Sequence, residues 1–355
     1  MSRIVGRRFV PALLLVLVAF VAGPAARQGS QRPLFRGGVD LVNVSATVTD
    51  ADGHFVKGLA KDDFLLLEDG VELPIAQFSS ERVPVSLGIV VDASSSMDGE
   101  RMSQARRALE QLLDRLPDPD DEVFLYSFSE DPVLEHGWTT DRRAIRSALK
   151  RIDPGGRTSL YDAVGRAVSL ANTGRHAKKA LVIISDGNDT ASHTSVEALQ
   201  RQIQESELLV YAIGVDARSL FQPKSRRSWF SQARPGFPRP PVIQGFPPRP
   251  GGGGGRPPVL PRPPDRAPAP PPVFDDPVDL AALRSLTDDS GGRTEIVRTA
   301  GDLGPATSGI ADELNRQYFL AYASNAPRDG KWHTIELSVR DREWTVRARR
   351  GFIAQ

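Results

Sequence analysis

The hydrophobic pattern of residues 83–316 alternates between two kinds of segment. Short apolar runs, typical of strands buried on both faces of a parallel sheet, alternate with segments whose apolar residues recur every three or four positions, typical of amphipathic helices. The runs predicted as strands are residues 85–91, 123–128, 180–184, 208–215 and 294–297. The segments predicted as helices are residues 101–116, 142–152, 160–172, 196–207, 278–286 and 306–316. This alternation predicts an α/β fold with a doubly wound, mostly parallel sheet.

Strand patterns of a different kind flank this region. Apolar and polar residues alternate there with a period of two, which is typical of strands with one buried face. The predicted strands are residues 39–49, 64–67, 71–78, 317–323, 335–339 and 344–348. Turns are predicted at Asp69-Gly70 and at Asp341, and the second would join the last two strands into a hairpin. Because neither flank has enough strands to be stable alone, we predict that residues 36–80 and 317–355 form one small β-sandwich with the α/β domain inserted between them.

Residues 1–26 have the pattern of an export signal. Arg7 and Arg8 precede an apolar stretch at residues 9–21, and small residues follow it. We therefore predict an exported protein, either periplasmic or secreted. The alternative is an uncleaved signal that anchors the chain, since about 13 apolar residues are short for a full membrane span. No later segment approaches the roughly 18 apolar residues of a span, so none is predicted in the mature protein.

Residues 221–277 differ from the rest of the chain in composition. Proline, glycine and arginine dominate them, and residues 251–255 are all glycine. Such a segment cannot bury a core, so we predict an extended, basic, largely disordered loop within the α/β domain. Two interpretations are open: a solvated insertion, or a contact segment that acts as a polyproline ligand or as an electrostatic tether to anionic envelope polymers.

The charge balance narrows the classes of partner. The chain has 45 basic and 44 acidic residues, a net charge of +1. Residues 219–274 carry about eight net positive charges and residues 1–26 carry three, which leaves about ten net negative charges on the rest. This argues against a dedicated nucleic-acid binder, and an acidic body suits cations better than phosphates. The absence of cysteine excludes disulfide scaffolds, cysteine-ligated zinc, iron–sulfur clusters and thiol catalysis.

Residues with side-chain oxygens lie at the ends of the predicted strands. They are Asp92, Ser94 and Ser96 after the first strand, Thr158 ahead of the third helix, and Asp186 after the third strand. Because ligand sites of such sheets lie at the carboxyl ends of the strands, we expect the five to converge. Two carboxylates and three hydroxyls suit a hard divalent cation, Mg²⁺ or else Mn²⁺ or Ca²⁺, with a position left for an outside carboxylate. Taken singly, each residue is also compatible with a helix cap or an ordinary turn.

Together, Asp92-x-Ser94-x-Ser96, Thr158 and Asp186 resemble the metal-ion-dependent adhesion site (MIDAS) of the von Willebrand factor type A (VWA) domain. The resemblance covers residues 83–316. It implies that the two serines and the threonine coordinate the metal directly, that the aspartates act largely through water, and that an Asp or Glu of a protein ligand completes the shell. The whole chain is similar to the acidobacterial VWFA-related family of secreted proteins, from which its proline-rich insertion is a departure.

The sequence offers little for catalysis. Its histidines have no metalloprotease spacing, there is no Gly-x-Ser-x-Gly elbow, and no base is evident near Ser94 or Ser96. We therefore expect an exported, non-enzymatic, adhesion-type protein that captures a partner carboxylate through a divalent metal. The alternative is a structural scaffold of the envelope whose β-sandwich and basic loop make the main contacts. The oligomeric state stays open.

Overall fold

A computed structural model of the protein describes residues 41–215, 278–340 and 344–354. The predicted export signal, the predicted loop at residues 221–277 and the predicted turn at Asp341 lie outside the described residues. Within the described ranges, no helix is both long enough and apolar enough to cross a membrane.

Strands and helices alternate in the middle of the chain, and strands lie at both ends. The strands are β1 (Leu41–Thr49), β2 (Phe64–Glu68), β3 (Val71–Glu72), β4 (Ile75–Ser79), β5 (Val85–Asp92), β6 (Glu122–Phe128), β7 (Pro132–Thr139), β8 (Lys178–Ser185), β9 (Leu208–Val215), β10 (Thr294–Val297), β11 (Tyr318–Ala323), β12 (Trp332–Val339), β13 (Thr345–Arg347) and β14 (Gly351–Ile353). The helices are α1 (Glu100–Asp114), α2 (Arg142–Leu149), α3 (Leu160–Ala171), α4 (Val196–Gln204), α5 (Leu280–Thr287) and α6 (Leu303–Leu314). The predicted α/β alternation is confirmed.

A six-stranded sheet with the order β10-β9-β8-β5-β6-β7 forms the centre of the α/β domain. The first five strands are parallel, and every residue of the central strand β5 is buried, as its continuous apolar run predicts. Strand β7 pairs antiparallel with β6 and was not predicted. It is an edge strand on which Val133 and Leu134 are exposed, so it lacks the apolar run of an interior strand.

Helices cover both faces of this sheet. Apolar residues of α1, α2 and α6, such as Leu109, Ile145 and Ile310, share one core with one face. Apolar residues of α3, α4 and α5, such as Val164 and Leu199, share a second core with the other face. The predicted doubly wound arrangement is confirmed, and it brings the loops that follow the parallel strands to one edge of the sheet.

Two small antiparallel sheets are built from the ends of the chain. One has the order β13-β1-β11-β4 and the other the order β14-β12-β2-β3, so each combines N-terminal and C-terminal strands. Val44 lies opposite Leu320 in the first, and Leu66 lies opposite Leu337 in the second. Apolar side chains of both sheets form one common core. The predicted β-sandwich of N- and C-terminal strands is confirmed.

The predicted hairpin between residues 335–339 and 344–348 is wrong. Strand β12 pairs with β14 and β2, whereas β13 pairs with β1, where Val346 lies opposite Val48. The physical reason is that β1 has a second edge on the side away from β11, and Thr47–Thr49 pair there with Thr345–Arg347. The chain therefore changes sheets between β12 and β13 and returns at β14.

The α/β domain and the sandwich meet around Glu313, which is fully buried near the end of α6. Its carboxylate accepts hydrogen bonds from the Thr47 hydroxyl (3.1 Å) and the Tyr211 hydroxyl (2.9 Å). The Arg293 Nε lies 3.2 Å from Oε2, and the Arg347 guanidinium pairs with Oε1. Two arginines thus neutralise one buried carboxylate, and the four partners come from β1, β9, the β10 side of the domain and β13.

Two connections join the domain to the sandwich, at residues 80–84 and 315–317. Arg82 ties them together, because its Nε donates to the Asn315 side-chain oxygen over 2.8 Å. The same guanidinium contacts both oxygens of the buried Asp121 carboxylate, at 2.6 and 2.5 Å. Both connections therefore leave the domain at the same edge of the sheet.

Lys178, the first residue of β8, is buried beside this junction. Its ammonium donates to the Leu314 carbonyl at the end of α6 over 2.5 Å. Burial, followed by the nearby Arg82 charge, lowers the pKa of Lys178 to about 7. The lysine thus caps α6 from the edge of the sheet where β8 begins.

Candidate metal centre

Three loops converge where β5 and β8 end. Asp92 is the last residue of β5, Asp186 directly follows β8, and the loop before α3 carries Thr158. Because β5 and β8 are parallel neighbours, their carboxyl ends lie side by side. The convergence expected from the sequence is present at this edge.

Backbone hydrogen bonds fix the first loop to the second. The Gly155 N–H donates to the Ala93 carbonyl over 2.7 Å, and the Ser95 N–H donates to the Gly156 carbonyl over 3.1 Å. The Ser95 hydroxyl reinforces this contact, since it also donates to the Gly156 carbonyl, at 3.0 Å. Ser95 therefore holds the loop while its neighbours Ser94 and Ser96 remain available for a ligand.

Thr158 is tied to the third loop on both sides of its backbone. Its N–H donates to the Thr190 hydroxyl over 3.0 Å, and its carbonyl accepts from the N–H groups of Thr190 (2.8 Å) and Ala191 (2.9 Å). The backbone of Thr158 is thus fully engaged. Its hydroxyl forms no hydrogen bond with any described residue and borders the cavity described below.

The two serine hydroxyls are spaced as neighbouring metal ligands are. The Ser94 and Ser96 oxygens lie 3.0 Å apart. Adjacent oxygens at about 2.1 Å from an octahedral Mg²⁺ are about 3 Å apart, so one ion can contact both. The hydroxyl pair therefore fits a small divalent cation without rearrangement.

The two carboxylates are buried, and none of the described residues gives either of them a cationic partner. Asp92 is fully buried, and its two oxygens accept hydrogen bonds from the Ser94 N–H (2.8 Å) and the Ser185 hydroxyl (2.7 Å). Asp186 is 5% exposed and accepts from the Asn188 N–H (3.1 Å). Burial, followed by repulsion from Asp186, raises the pKa of Asp92 to about 6. In the described part of the chain, no Lys, Arg or His forms an ion pair with either aspartate, which suits an added cation.

An open cavity of about 520 Å³ lies above Asp92. Four of the five predicted residues line it, namely Ser94, Ser96, Thr158 and Asp186. Asp92 lies beneath them, hydrogen-bonded to the backbone of Ser94. The structure thus brings the whole predicted set together, with four members facing the cavity and one below its floor.

Other residues of the site were not predicted. Ser185 orients Asp92, Thr190 holds Thr158, and the Arg157 guanidinium stands at the rim and donates to the Thr190 carbonyl. The sequence did hold a signal for Ser185, because a polar residue at the end of an apolar run marks the carboxyl end of a buried strand, where ligand sites lie. Thr190 and Arg157 had none, because their roles depend on contacts between separate loops.

Gly187 allows the third loop to turn away from β8. Its φ is +81°, a conformation that favours glycine, and a Cβ there would lie 2.7 Å from the Asp279 carbonyl. The Asp279 N–H donates to the Asp186 carbonyl over 3.0 Å. The start of α5 is therefore packed against the Asp186 loop.

Residues 87–188 match the sequence profile of the von Willebrand factor type A domain. This span contains all five residues of the predicted site. The protein contains a VWA domain. VWA domains are usually non-catalytic binding modules, and the fold is typically used for metal-dependent protein binding.

The VWA region has distant relatives. Bovine inter-alpha-trypsin inhibitor heavy chain H4 is 26% identical over 192 residues, which are 51% of this chain and 18% of the heavy chain. The chain therefore spans less than a fifth of that relative. Among solved structures, a von Willebrand factor type A protein from Catenulispora acidiphila is similar at 12% identity and a TM-score of 0.46, over 90% of this chain and 74% of that one. Proximal thread matrix protein 1 from the mussel byssus, solved with a zinc-occupied MIDAS motif, has the same identity and TM-score, over 70% and 49%.

Proposed function

We propose that the protein captures a partner protein through a divalent cation at the VWA cavity, and that an Asp or Glu of the partner completes the cation's coordination. The observation that carries the proposal is the pair of buried carboxylates, Asp92 and Asp186, with which no cationic side chain of residues 41–215, 278–340 and 344–354 forms an ion pair. Uncompensated buried charge is costly, so such a pair favours uptake of a cation.

Ser94, Ser96 and Thr158 would hold the cation through neutral hydroxyl oxygens. Asp92 and Asp186 would balance its charge. A Mg²⁺, Mn²⁺ or Ca²⁺ ion held this way keeps net attraction for an outside carboxylate, because only two negative charges surround it and several of its ligands are neutral. The role of the protein is to position these oxygens before the partner arrives.

The rim of the cavity supports an acidic partner. Arg157 is exposed at the rim, and its guanidinium is directed by a hydrogen bond to the Thr190 carbonyl. A cationic side chain there would attract a negatively charged segment before the carboxylate reaches the metal. We further propose that capture takes place outside the cytoplasm, in the periplasm or after secretion, because residues 1–26 have the pattern of an export signal.

Calorimetric titration of the metal-stripped protein with MgCl₂, MnCl₂ or CaCl₂ tests the site itself. The wild type is expected to bind one ion, and Asp186→Asn, which keeps the shape of the side chain, is expected to weaken binding at least tenfold. Asp153→Ala is the matched control, since Asp153 is an exposed acid of the loop before α3 and lies outside the proposed ligand set. Equal heats for wild type and Asp186→Asn would remove the metal from the proposal.

Affinity capture from an envelope extract tests the partner. Proteins held by the wild type in Mg²⁺ should be released by EDTA, be missing with Asp186→Asn and be retained with Asp153→Ala. The competing function, a structural scaffold of the envelope, is favoured by the basic, proline-rich composition of residues 221–277. It requires that the same partners survive both EDTA and Asp186→Asn and are lost when those residues are deleted.

A further inference from the structure

A second cavity, of about 530 Å³, lies between the VWA domain and the sandwich. Its walls come from α5, the following loop and β10 on one side, and from β2, β12 and the β13–β14 region on the other. Five arginines border it: Arg284, Arg293, Arg347, Arg349 and Arg350. Of the residues that the structure describes, only two acidic ones, Asp288 and Glu336, border the same cavity. The wall therefore carries an excess of positive charge.

Neighbouring carboxylates neutralise only part of this charge. Arg293 and Arg347 share the buried Glu313. Arg284 and Arg350 are exposed, and no carboxylate among the described residues lies within 4 Å of either guanidinium. Two of the arginines are thus available to an anion that enters the cavity.

The Arg349 guanidinium is held by the protein itself, since its Nε donates to the Gly351 carbonyl (3.0 Å) and its Nη2 to the Ser206 carbonyl (3.2 Å). It is only 8% exposed, and its Nη1 has no hydrogen-bond acceptor among the described residues. The nearest carboxylate, Glu207, is 3.9 Å from that atom and already accepts two hydrogen bonds from Asn43, at 3.0 and 2.7 Å. Arg349 therefore adds buried positive charge beside the cavity, whereas the exposed Arg284 and Arg350 are the guanidinium groups that an entering anion can reach.

The cavity also has an apolar side. Leu67, Ile335, Leu337, Val346 and Ala348 border it between the arginines. A ligand that carried only charge would leave this surface in contact with water. The combination suits a molecule with an anionic group at one end and an apolar chain at the other.

Contacts between the two walls hold the cavity open in a fixed shape. The Arg350 N–H donates to the Asp289 carbonyl over 3.1 Å. Gly291 has a φ of +85°, and a Cβ there would lie 2.5 Å from the backbone nitrogen of Arg349. The loop after α5 therefore packs directly against the backbone between β13 and β14. The two walls are therefore fixed relative to each other before any ligand binds.

We propose that this interdomain cavity is a second ligand site, and that it binds an organic anion in which a phosphate, sulfate or carboxylate group is attached to an apolar chain. Guanidinium groups bind such oxygens through paired, charge-assisted hydrogen bonds. The volume lies within the range of small-molecule sites. The site needs no metal and is independent of the function proposed above.

Calorimetric titration of the full chain with dodecyl phosphate, below its micelle concentration, tests the site. Saturable binding of one molecule is expected, unchanged by EDTA and by Asp186→Asn. Arg284→Gln combined with Arg350→Gln should weaken it about tenfold or more, since charge-assisted bonds are lost. Arg107→Gln combined with Arg143→Gln is the matched control at exposed arginines of α1 and α2. Absence of saturable binding, an equal loss in the control, or equal affinity for neutral dodecyl maltoside would overturn the proposal.

Vesicles distinguish the source of the ligand. If the wild type binds phosphatidylglycerol vesicles, ignores phosphatidylcholine vesicles and loses binding in the Arg284/Arg350 variant, the anion belongs to a membrane lipid. If it binds only free dodecyl phosphate, the ligand is a soluble amphiphile. Binding to vesicles without binding of the free amphiphile would contradict a cavity site and indicate a diffuse surface attraction instead.

Discussion

Strand β8 separates two buried acidic sites that differ in how their charge is compensated. At the junction where β8 begins, Glu313 is neutralised by Arg293 and Arg347. At the edge where β8 ends, Asp92 and Asp186 lie together without a basic side chain from the described residues. The carboxylates of both sites are hydrogen-bonded and buried, so burial alone does not distinguish the sites.

The difference teaches what each site is for. A carboxylate with its own cations fastens two parts of the chain and needs nothing further. Two neighbouring carboxylates without a cation repel each other, and an added cation would relieve this repulsion. Binding of a cation would therefore raise the free energy of unfolding. In this comparison, complete charge compensation goes with a structural contact, and incomplete compensation goes with the metal site that we propose.

Glu313→Ala should change the free energy of unfolding more than any other variant considered. It removes the shared partner of Arg293 and Arg347, which leaves the partly buried Arg347 guanidinium without a counter-charge and Arg293 with Glu295 alone. We expect a loss of about 3–5 kcal/mol in the free energy of unfolding, measured by urea denaturation. Glu336→Ala, at an exposed position of β12, should change it by less than about 0.5 kcal/mol. A loss at Glu313 as small as the control's would show that the junction does not depend on this carboxylate.

Mg²⁺ should stabilise the wild-type protein through the other site. At a free concentration 100 times its dissociation constant, the ion raises the free energy of unfolding by about 2.7 kcal/mol if it binds only the folded chain. Denaturation in Mg²⁺ and in EDTA measures this difference. For Asp186→Asn, Mg²⁺ should raise the free energy of unfolding hardly at all. For Glu313→Ala, Mg²⁺ should raise it by the same amount as for the wild type. An increment that survives Asp186→Asn would locate the metal elsewhere.

The titration of Lys178 tests whether the buried charges at the junction between the VWA domain and the sandwich are fully compensated. Its pKa is about 7 when folded and near 10.5 when unfolded. Between these values the unfolded chain holds a proton that the folded chain has released, so the free energy of unfolding rises with pH. From pH 7 to pH 9 the wild type should gain about 2 kcal/mol relative to Lys178→Met. Parallel pH profiles of the two proteins would mean that the lysine stays charged inside the fold.

Asp186→Asn should change the free energy of unfolding least, and it should raise this free energy, whereas Glu313→Ala lowers it. In EDTA it removes the negative charge that repels Asp92, while an amide oxygen at the same position can still accept the Asn188 N–H. We expect the metal-free variant to be about 1 kcal/mol more stable than the metal-free wild type. Destabilisation in EDTA would mean that the Asp186 carboxylate is needed for the fold itself.

Much of the α/β domain was predictable because its signals are local. The apolar run of β5 and the helical spacing of α1 each identify an element without reference to the rest of the chain. The site was predictable for a related reason, since parallel strands bring Asp92 and Asp186 to the same edge. Strand β7 was missed because an edge strand with polar and exposed apolar residues has no such signal.

Contacts between distant segments were not predictable. The pairing of β13 with β1 depends on an unoccupied edge of β1, a strand about 300 residues away, which no residue of β13 reveals. The role of Glu313 depends on Thr47 and Arg347, which lie in other parts of the sequence. A glutamate near the end of an amphipathic helix predicts only solvent exposure, so its burial came from the structure.

The placement of the two connections also determines how the molecule transmits force. Residues 80–84 lead directly into β5, and β5 runs about 25 Å from there to Asp92. A pull between a captured partner and the sandwich would act lengthwise along this strand. Its hydrogen bonds to β6 and β8 lie across that direction, so they would be loaded together in shear instead of opening one after another. The parallel sheet is therefore oriented so that such a pull would act along its strands, between the proposed partner site near Asp92 and the connections to the sandwich.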